Sequence, residues 1–187
     1  MNVYDFDKTI YDGDSTIDFY LYCLRKRPKI LCCAFRQCRG ILLHKMHKID
    51  TTAMKEQFFS FLLKLDVDDT NALVNTFWKK KQKKIKRWYL QRKDASDVII
   101  SASPAFLLRP ICEKLAITEP IATQMDISTG RIQGSNCKGE EKIRRFYAQY
   151  PNETIQHFYS DSKTDTPLAS LAKTAFFVQG NNLLPWK

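Results

Sequence analysis

Residues 3–9 read VYDFDKT, a short apolar run that ends with Asp5 and Asp7 one residue apart. Side chains alternate faces along a strand, so both carboxylates point the same way while Phe6 points into the core. Like charges held this close raise their own pKa values unless a cation lies between them or one of them keeps its proton. The stretch therefore reads as a strand whose C-terminal end carries metal binding, acid/base work, or both.

Helical patterning follows from about Ser15 to Arg92, with apolar clusters such as FFSFLLKL at Phe58 to Leu65 and no strand signal to interrupt it. DVIISASPAFLLRPICEKL, residues 97–115, then predicts a buried strand over Val98 to Ser101, a turn, and a helix with Ser103 as N-cap and Pro104 at its first position. Short extended pieces lie between Ile121 and Gln133 around a turn at Ser128 to Gly130. A helix runs from about Lys138 to Tyr150, strands cover Ile155 to Tyr159 and Ala175 to Val178, and a helix opens between them at Asp161 to Ser170. An irregular, proline-containing tail ends the chain. Strands alternating with helices after residue 94 predict an α/β fold, a Rossmann-like parallel sheet with helices on both faces. The expected organisation is a core of residues 1–13 and 94–187, with an all-helical cap of residues 14–93 inserted after the first strand. Ligands of such sheets sit beyond the C-terminal strand ends, where Asp5, Asp7, the Ser101 turn and the acids after Tyr159 all fall.

Composition divides the same way. Of 187 residues, 44% are hydrophobic and 12% aromatic, which excludes disorder. The formal charge of +10 is uneven: residues 14–93 hold nineteen Lys and Arg against seven Asp and Glu, net +12, and the remainder eleven against thirteen, net −2. The first strand begins almost at Met1, which predicts no leader and a cytoplasmic location. The six cysteines show no paired Cys-x-x-Cys spacing and read as reduced thiols.

Taken in order, DFDKT, IISAS, CKGEEK and YSDSKTD resemble the four-motif set of the haloacid-dehalogenase superfamily. The helical insertion after the first motif is similar to the phosphoserine-phosphatase-like branch. YSDSKTDTPL looks like the fourth motif of the phosphatidylglycerophosphatase C group within it. Phosphoserine phosphatases usually carry a glycine-rich GDG there, whereas here Ser160 and Ser162 flank Asp161. The resemblance implies a Mg²⁺-dependent phosphatase. DKT at Asp7 to Thr9 is also similar to the phosphorylation motif of cation-pumping ATPases, but Ile10 and Tyr11 replace its Gly-Thr continuation. A phosphoacceptor receiver domain is disfavoured by the large insertion and by the Asp5/Asp7 spacing.

Phosphoryl transfer needs a nucleophile in line, charge neutralisation on the phosphoryl oxygens and a proton for the leaving alkoxide. Asp5 is the candidate nucleophile, forming an aspartyl-phosphate. Asp7 is the candidate acid for the leaving group and base for the hydrolytic water. Mg²⁺ takes about six oxygens and keeps several waters, so Asp5 and Asp161 suffice as its carboxylates. The resemblance adds the backbone carbonyl of Asp7 as a ligand and sets Asp165 near the metal's waters and the lysine. Ser101 and the neighbouring Ala102 amide are the phosphoryl-binding candidates. The resemblance assigns the fixed positive charge to Lys138 in its KGE context, with Lys142 one helical turn on as runner-up.

From Phe19 to Ile49 there are eight basic residues and no acid, interleaved with apolar ones, and Trp78 to Lys93 adds nine more. The longest uncharged apolar run there, Ile30 to Phe35, is far below the ~18 residues that a membrane span requires. Peripheral contact with an anionic membrane is the leading expectation, with Trp78, Trp88 and Tyr89 available at the interface. A solvated basic face that steers small anions is the second, and nucleic-acid binding is the least favoured. No protein partner is indicated. The leading substrate is therefore a lipid phosphomonoester such as phosphatidylglycerophosphate. A soluble phosphomonoester is the alternative, and an inactive phosphate-binding or membrane-scaffold protein a distant third.

Overall fold

A computed structural model describes residues 1–187. Six strands form one sheet in the order β3-β2-β1-β4-β5-β6: β1 Asn2–Tyr4, β2 Val98–Pro104, β3 Ile121–Thr123, β4 His157–Ser160, β5 Thr174–Gln179 and β6 Asn182–Pro185. All neighbours pair in parallel except β5 and β6. The tail expected to be irregular thus forms an antiparallel hairpin with β5, turning at Gly180, whose φ is +61°. Tyr4 stands in register with Ile99 on one side and Tyr159 on the other, so β1 is central. This register brings Asp5, Ser101 and Asp161 to one edge.

Alternation along the strands separates two hydrophobic clusters. Val3, Val98, Ile100 and Phe158 pack on one face with Phe146 and Leu168, from the helices α7 (Glu140–Gln149) and α8 (Thr166–Ala169). Tyr4, Ile99 and Tyr159 pack on the other. That second cluster extends through α6 (Ala105–Lys114) into the segment between β1 and β2. This segment is all helical: α1 Ser15–Lys26, α2 Ala34–Lys45, α3 Thr51–Phe58, α4 Val67–Lys81 and α5 Arg87–Leu90, with 3-10 turns at Pro28–Cys33, Phe59–Lys64 and Gln82–Lys84. β2 runs on through Ser103 to Pro104, so Pro104 takes the N-cap expected of Ser103.

Aromatic packing welds the insertion to the sheet. Trp78 Nε1 donates to the Leu107 carbonyl at 2.6 Å, and Phe19 meets both Phe77 and Phe106. Tyr4 stacks on Tyr159 at 4.7 Å, and Trp88 and Tyr89 of α5 close over this pair. Trp78 and Tyr89 are fully buried and Trp88 is 9% exposed, so these rings cannot meet a membrane as expected. Their apolar burial, about 2 kcal/mol or more per ring, is spent holding the insertion in place.

Most acids of the insertion are consumed inside it. Asp14, Asp50 and Asp66 cap α1, α3 and α4 by accepting from Ile17, Ala53 and Asp69 amides. Asp69 pairs with Arg27 and Asp18 with Lys84. The remaining lysines and arginines are left largely uncompensated at the surface. All six cysteines are free, and no helix is long and apolar enough to cross a membrane.

Candidate active site

One cavity of about 480 Å³ opens at the C-terminal edge of β1, β2 and β4 and is lined by Asp5, Asp7, Ser101, Ala102, Lys138, Asp161 and Asp165. All seven residues singled out from the sequence therefore meet, but they do not occupy equivalent places.

Asp5 follows β1 directly, and its amide continues the ladder by donating to the Tyr159 carbonyl at 2.8 Å. Its Oδ1 accepts from Lys142 Nζ at 2.8 Å, and the same ammonium donates to Asp165 Oδ2 at 2.7 Å. Lys142 is 2% exposed. Burial pulls its pKa down, yet Asp5 and Asp165 outweigh that effect and hold the ammonium above its ordinary value. Burial pushes Asp5 upward, opposed by Lys142 and reinforced by Asp165.

The lysine beside Asp5 is thus Lys142, whereas Lys138 is exposed at the rim of the cavity. Gly139, with φ +58°, turns the chain between Lys138 and the first residue of α7. Lys138 stays outside that turn. Lys142 lies on the inward face of α7, four residues before the buried Phe146. That shared helix face was the available signal for it.

Asp7 is oriented by two donors, the Ser15 amide at 2.6 Å to Oδ1 and the Ser103 hydroxyl to Oδ2. Burial, with Asp14 nearby, raises it to about 6, while the hydrogen bonds from Ser103 and Ser15 oppose the rise. It can exchange protons near neutrality. Ser101 is 2% exposed, and its hydroxyl accepts from the Ser103 amide at 3.1 Å. Asp165 also accepts from the Ser160 hydroxyl at 2.7 Å, which in turn accepts from the Ser162 amide. Here the serines that replace the glycines of the fourth motif brace the acidic loop.

Reading the sequence missed Lys55. It projects from α3, and its ammonium donates to the Ala102 carbonyl and to Asn136 Oδ1, each at 2.7 Å. Burial lowers its pKa to about 8, with Asp7 opposing and Lys138 adding to the fall. With the Thr16 and Ser103 hydroxyls, which pair at 3.1 Å, it ties the insertion to the Ser101 turn. Nothing in a helix-spaced lysine distinguishes it before the fold brings these elements together. Lys55→Met is expected to lower kcat/KM about tenfold through misplacement of the insertion over the site, with little change in thermal midpoint. Steady-state kinetics beside a melt would check this; unchanged kinetics would make the contact merely structural.

The donor set suits a hard divalent cation. Asp161 lies half-buried in the same cavity without an ion pair; burial pushes its pKa up and Lys8 opposes the rise, so its oxygens are held by no side-chain cation. No three His, Cys, Asp or Glu side chains converge as a closed cage. Mg²⁺ needs none, because it is held by one or two carboxylates and keeps several waters.

The haloacid dehalogenase-like hydrolase family matches residues 3–170, and the chain belongs to that family. Over 86 residues it is 35% identical to a histidinol-phosphatase of Neisseria meningitidis, which covers 40% of this chain and 39% of the relative. It is 26% identical over 155 residues to protein CicA of Caulobacter vibrioides, 79% of this chain and 62% of the relative. The chain thus spans less than two thirds of either. A Bordetella pertussis protein of unknown function has a similar structure, with a TM-score of 0.77 at 19% identity, covering 95% of this chain and 88% of the other. A substrate-bound phosphoserine phosphatase gives 0.56 at 12% identity, covering 92% and 82%. The structural likenesses show the α/β fold.

Proposed function

We propose that this chain is a Mg²⁺-dependent phosphomonoester hydrolase acting through an aspartyl-phosphate on Asp5. The observation that carries the reading is Asp5 held by a buried lysine, with Asp7 independently oriented in the same cavity. An Asp5 oxygen attacks phosphorus as the bond to the leaving oxygen breaks, and Asp7 gives that oxygen its proton. Asp7 then takes a proton from the water that attacks phosphorus, which releases phosphate and regenerates Asp5. Lys142 keeps Asp5 fixed and favours its ionised form against burial, and Ser101 with the Ala102 amide receives the phosphoryl oxygens. Asp5, Asp161 and the Asp7 carbonyl would hold Mg²⁺, which would supply charge neutralisation on the phosphoryl group.

The substrate we propose is an anionic lipid phosphate such as phosphatidylglycerophosphate. Supporting it are the apolar side chains in the cavity lining, Ile17, Ile41, Met54 and Phe58, and the excess of positive charge on the insertion. The second reading is a small soluble phosphomonoester, favoured by the phosphoserine phosphatase and histidinol-phosphatase among the similar proteins. Mg²⁺-dependent phosphate release from phosphatidylglycerophosphate in mixed micelles, beside phosphoserine and histidinol phosphate, separates them. We expect kcat/KM to favour the lipid by about a hundredfold, ~3 kcal/mol in the transition state. A preference for either soluble ester would remove the lipid reading and leave the reaction in place.

A further inference from the structure

α2 is an amphipathic helix turned inside out. Its buried positions are Gln37 and Gly40. Gln37 donates to the Phe58 carbonyl and accepts from the Tyr20 hydroxyl, both at 2.8 Å. Gly40 admits Gln57 so closely that a Cβ there would lie 2.7 Å from its Cβ. The apolar residues face away: Phe35 is 82% exposed, Leu42 58% and Met46, at the C-cap, 50%. With exposed Cys38 they recur at i, i+3, i+7 and i+11, one continuous stripe along the helix. Leu31, on the preceding 3-10 turn, is a further exposed apolar side chain at 58%.

The charge beside this stripe has one sign. Arg36, Arg39 and Lys45 are exposed on the same helix. Between Phe19 and Ile49 there is no acid, and of the eight basic residues only Arg27 forms an ion pair. A second copy seated on this face would set cation against cation. A nucleic acid would leave the stripe uncovered, because phosphates do not pair with Phe35 or Leu42. An anionic lipid surface satisfies both parts, since the acyl boundary takes the apolar stripe and the head groups take the cations.

We propose that α2 docks this protein on an anionic lipid surface, with Phe35, Leu42 and Met46 entering the head-group boundary and Arg36, Arg39 and Lys45 reaching lipid phosphates. Ile41, on the flank of the same helix, lines the catalytic cavity, so docking sets the mouth of the site beside the bilayer. The surface is argued from exposure and charge, apart from the catalytic reading, and the two can fail separately.

The test is flotation of the full chain with vesicles of phosphatidylcholine alone and with phosphatidylglycerol added, beside turnover of the soluble ester para-nitrophenyl phosphate. We expect co-flotation only with the anionic vesicles. The double variant F35D/L42D should lower the bound-to-free ratio by about tenfold or more while soluble-ester turnover stays at the wild-type level. R36Q/R39Q/K45Q should weaken binding while leaving the apolar stripe intact. Equal flotation on both vesicle types, or no loss in F35D/L42D, would overturn the proposal. So would a vesicle-free dimer that F35D/L42D dissolves, because a second copy would then cover this face. Absence of soluble-ester turnover in the wild type would count against the phosphatase reading alone.

Discussion

Asp5→Asn is expected to lose Mg²⁺-dependent phosphate release by ~10³-fold or more, about 4 kcal/mol in the barrier, while the fold is retained. Asparagine has the same shape, and its side-chain oxygen can still accept from Lys142, which donates to Asp5 at 2.8 Å. Burial already disfavours a charge at this position, so the neutral residue is tolerated structurally. What disappears is the nucleophile. Asp7→Asn separates the two carboxylates. It should be severely impaired on alkyl phosphates, whose leaving oxygen needs a proton, yet with para-nitrophenyl phosphate it should accumulate an acid-stable phosphoenzyme that hydrolyses slowly. Quench-flow with labelled substrate would check both variants, beside circular dichroism for the fold. Full activity in Asp5→Asn would sink the nucleophile assignment.

Much of this site is legible in the sequence because strand chemistry is local. Asp5 and Asp7 share a face by alternation, and the strand-turn-helix at Ser101 stands next to β1 because buried β2 pairs with it. The part that is not legible depends on where helices begin. Lys138 and Lys142 differ by one turn, and only the left-handed Gly139 decides which of them enters the core. The expected helix starts at about Lys138, whereas α7 starts at Glu140, after Gly139. The insertion was harder still. Trp78, Trp88 and Tyr89 lie among nine basic residues, which suggests an interface, but tertiary packing draws the rings into the sheet and leaves the charges outside. The exposed apolar residues are instead on α2, where a buried glutamine and glycine invert the usual pattern. The terminal hairpin escaped for another reason: β6 contains the Leu-Leu-Pro of residues 183–185, and Pro185 is tolerated because β6 is the edge strand.

Lys142→Met should then produce the largest loss of stability of any single change at the site. The substitution roughly preserves volume but removes the cation from between Asp5 and Asp165, which lie 2.8 and 2.7 Å from it. Both carboxylates are buried, at 8% and 2% exposure. Breaking a buried pair by removing one partner costs about 3–5 kcal/mol, because the remaining charge has lost both water and its counter-ion. For a chain of this size that corresponds to a fall in thermal midpoint of roughly 6–20 °C. Lys138→Met is the control, since an exposed lysine without a partner should change stability by no more than about 0.5 kcal/mol. Adding Asp165→Asn to Lys142→Met relieves one of the stranded charges and should restore part of the midpoint without restoring turnover, because Asp5 remains unpaired. Melts of the three variants beside phosphate-release assays decide between the lysines. A stable Lys142→Met protein with near-normal turnover, together with an inactive Lys138→Met, would return the role to Lys138 and reduce the buried pair to a structural contact.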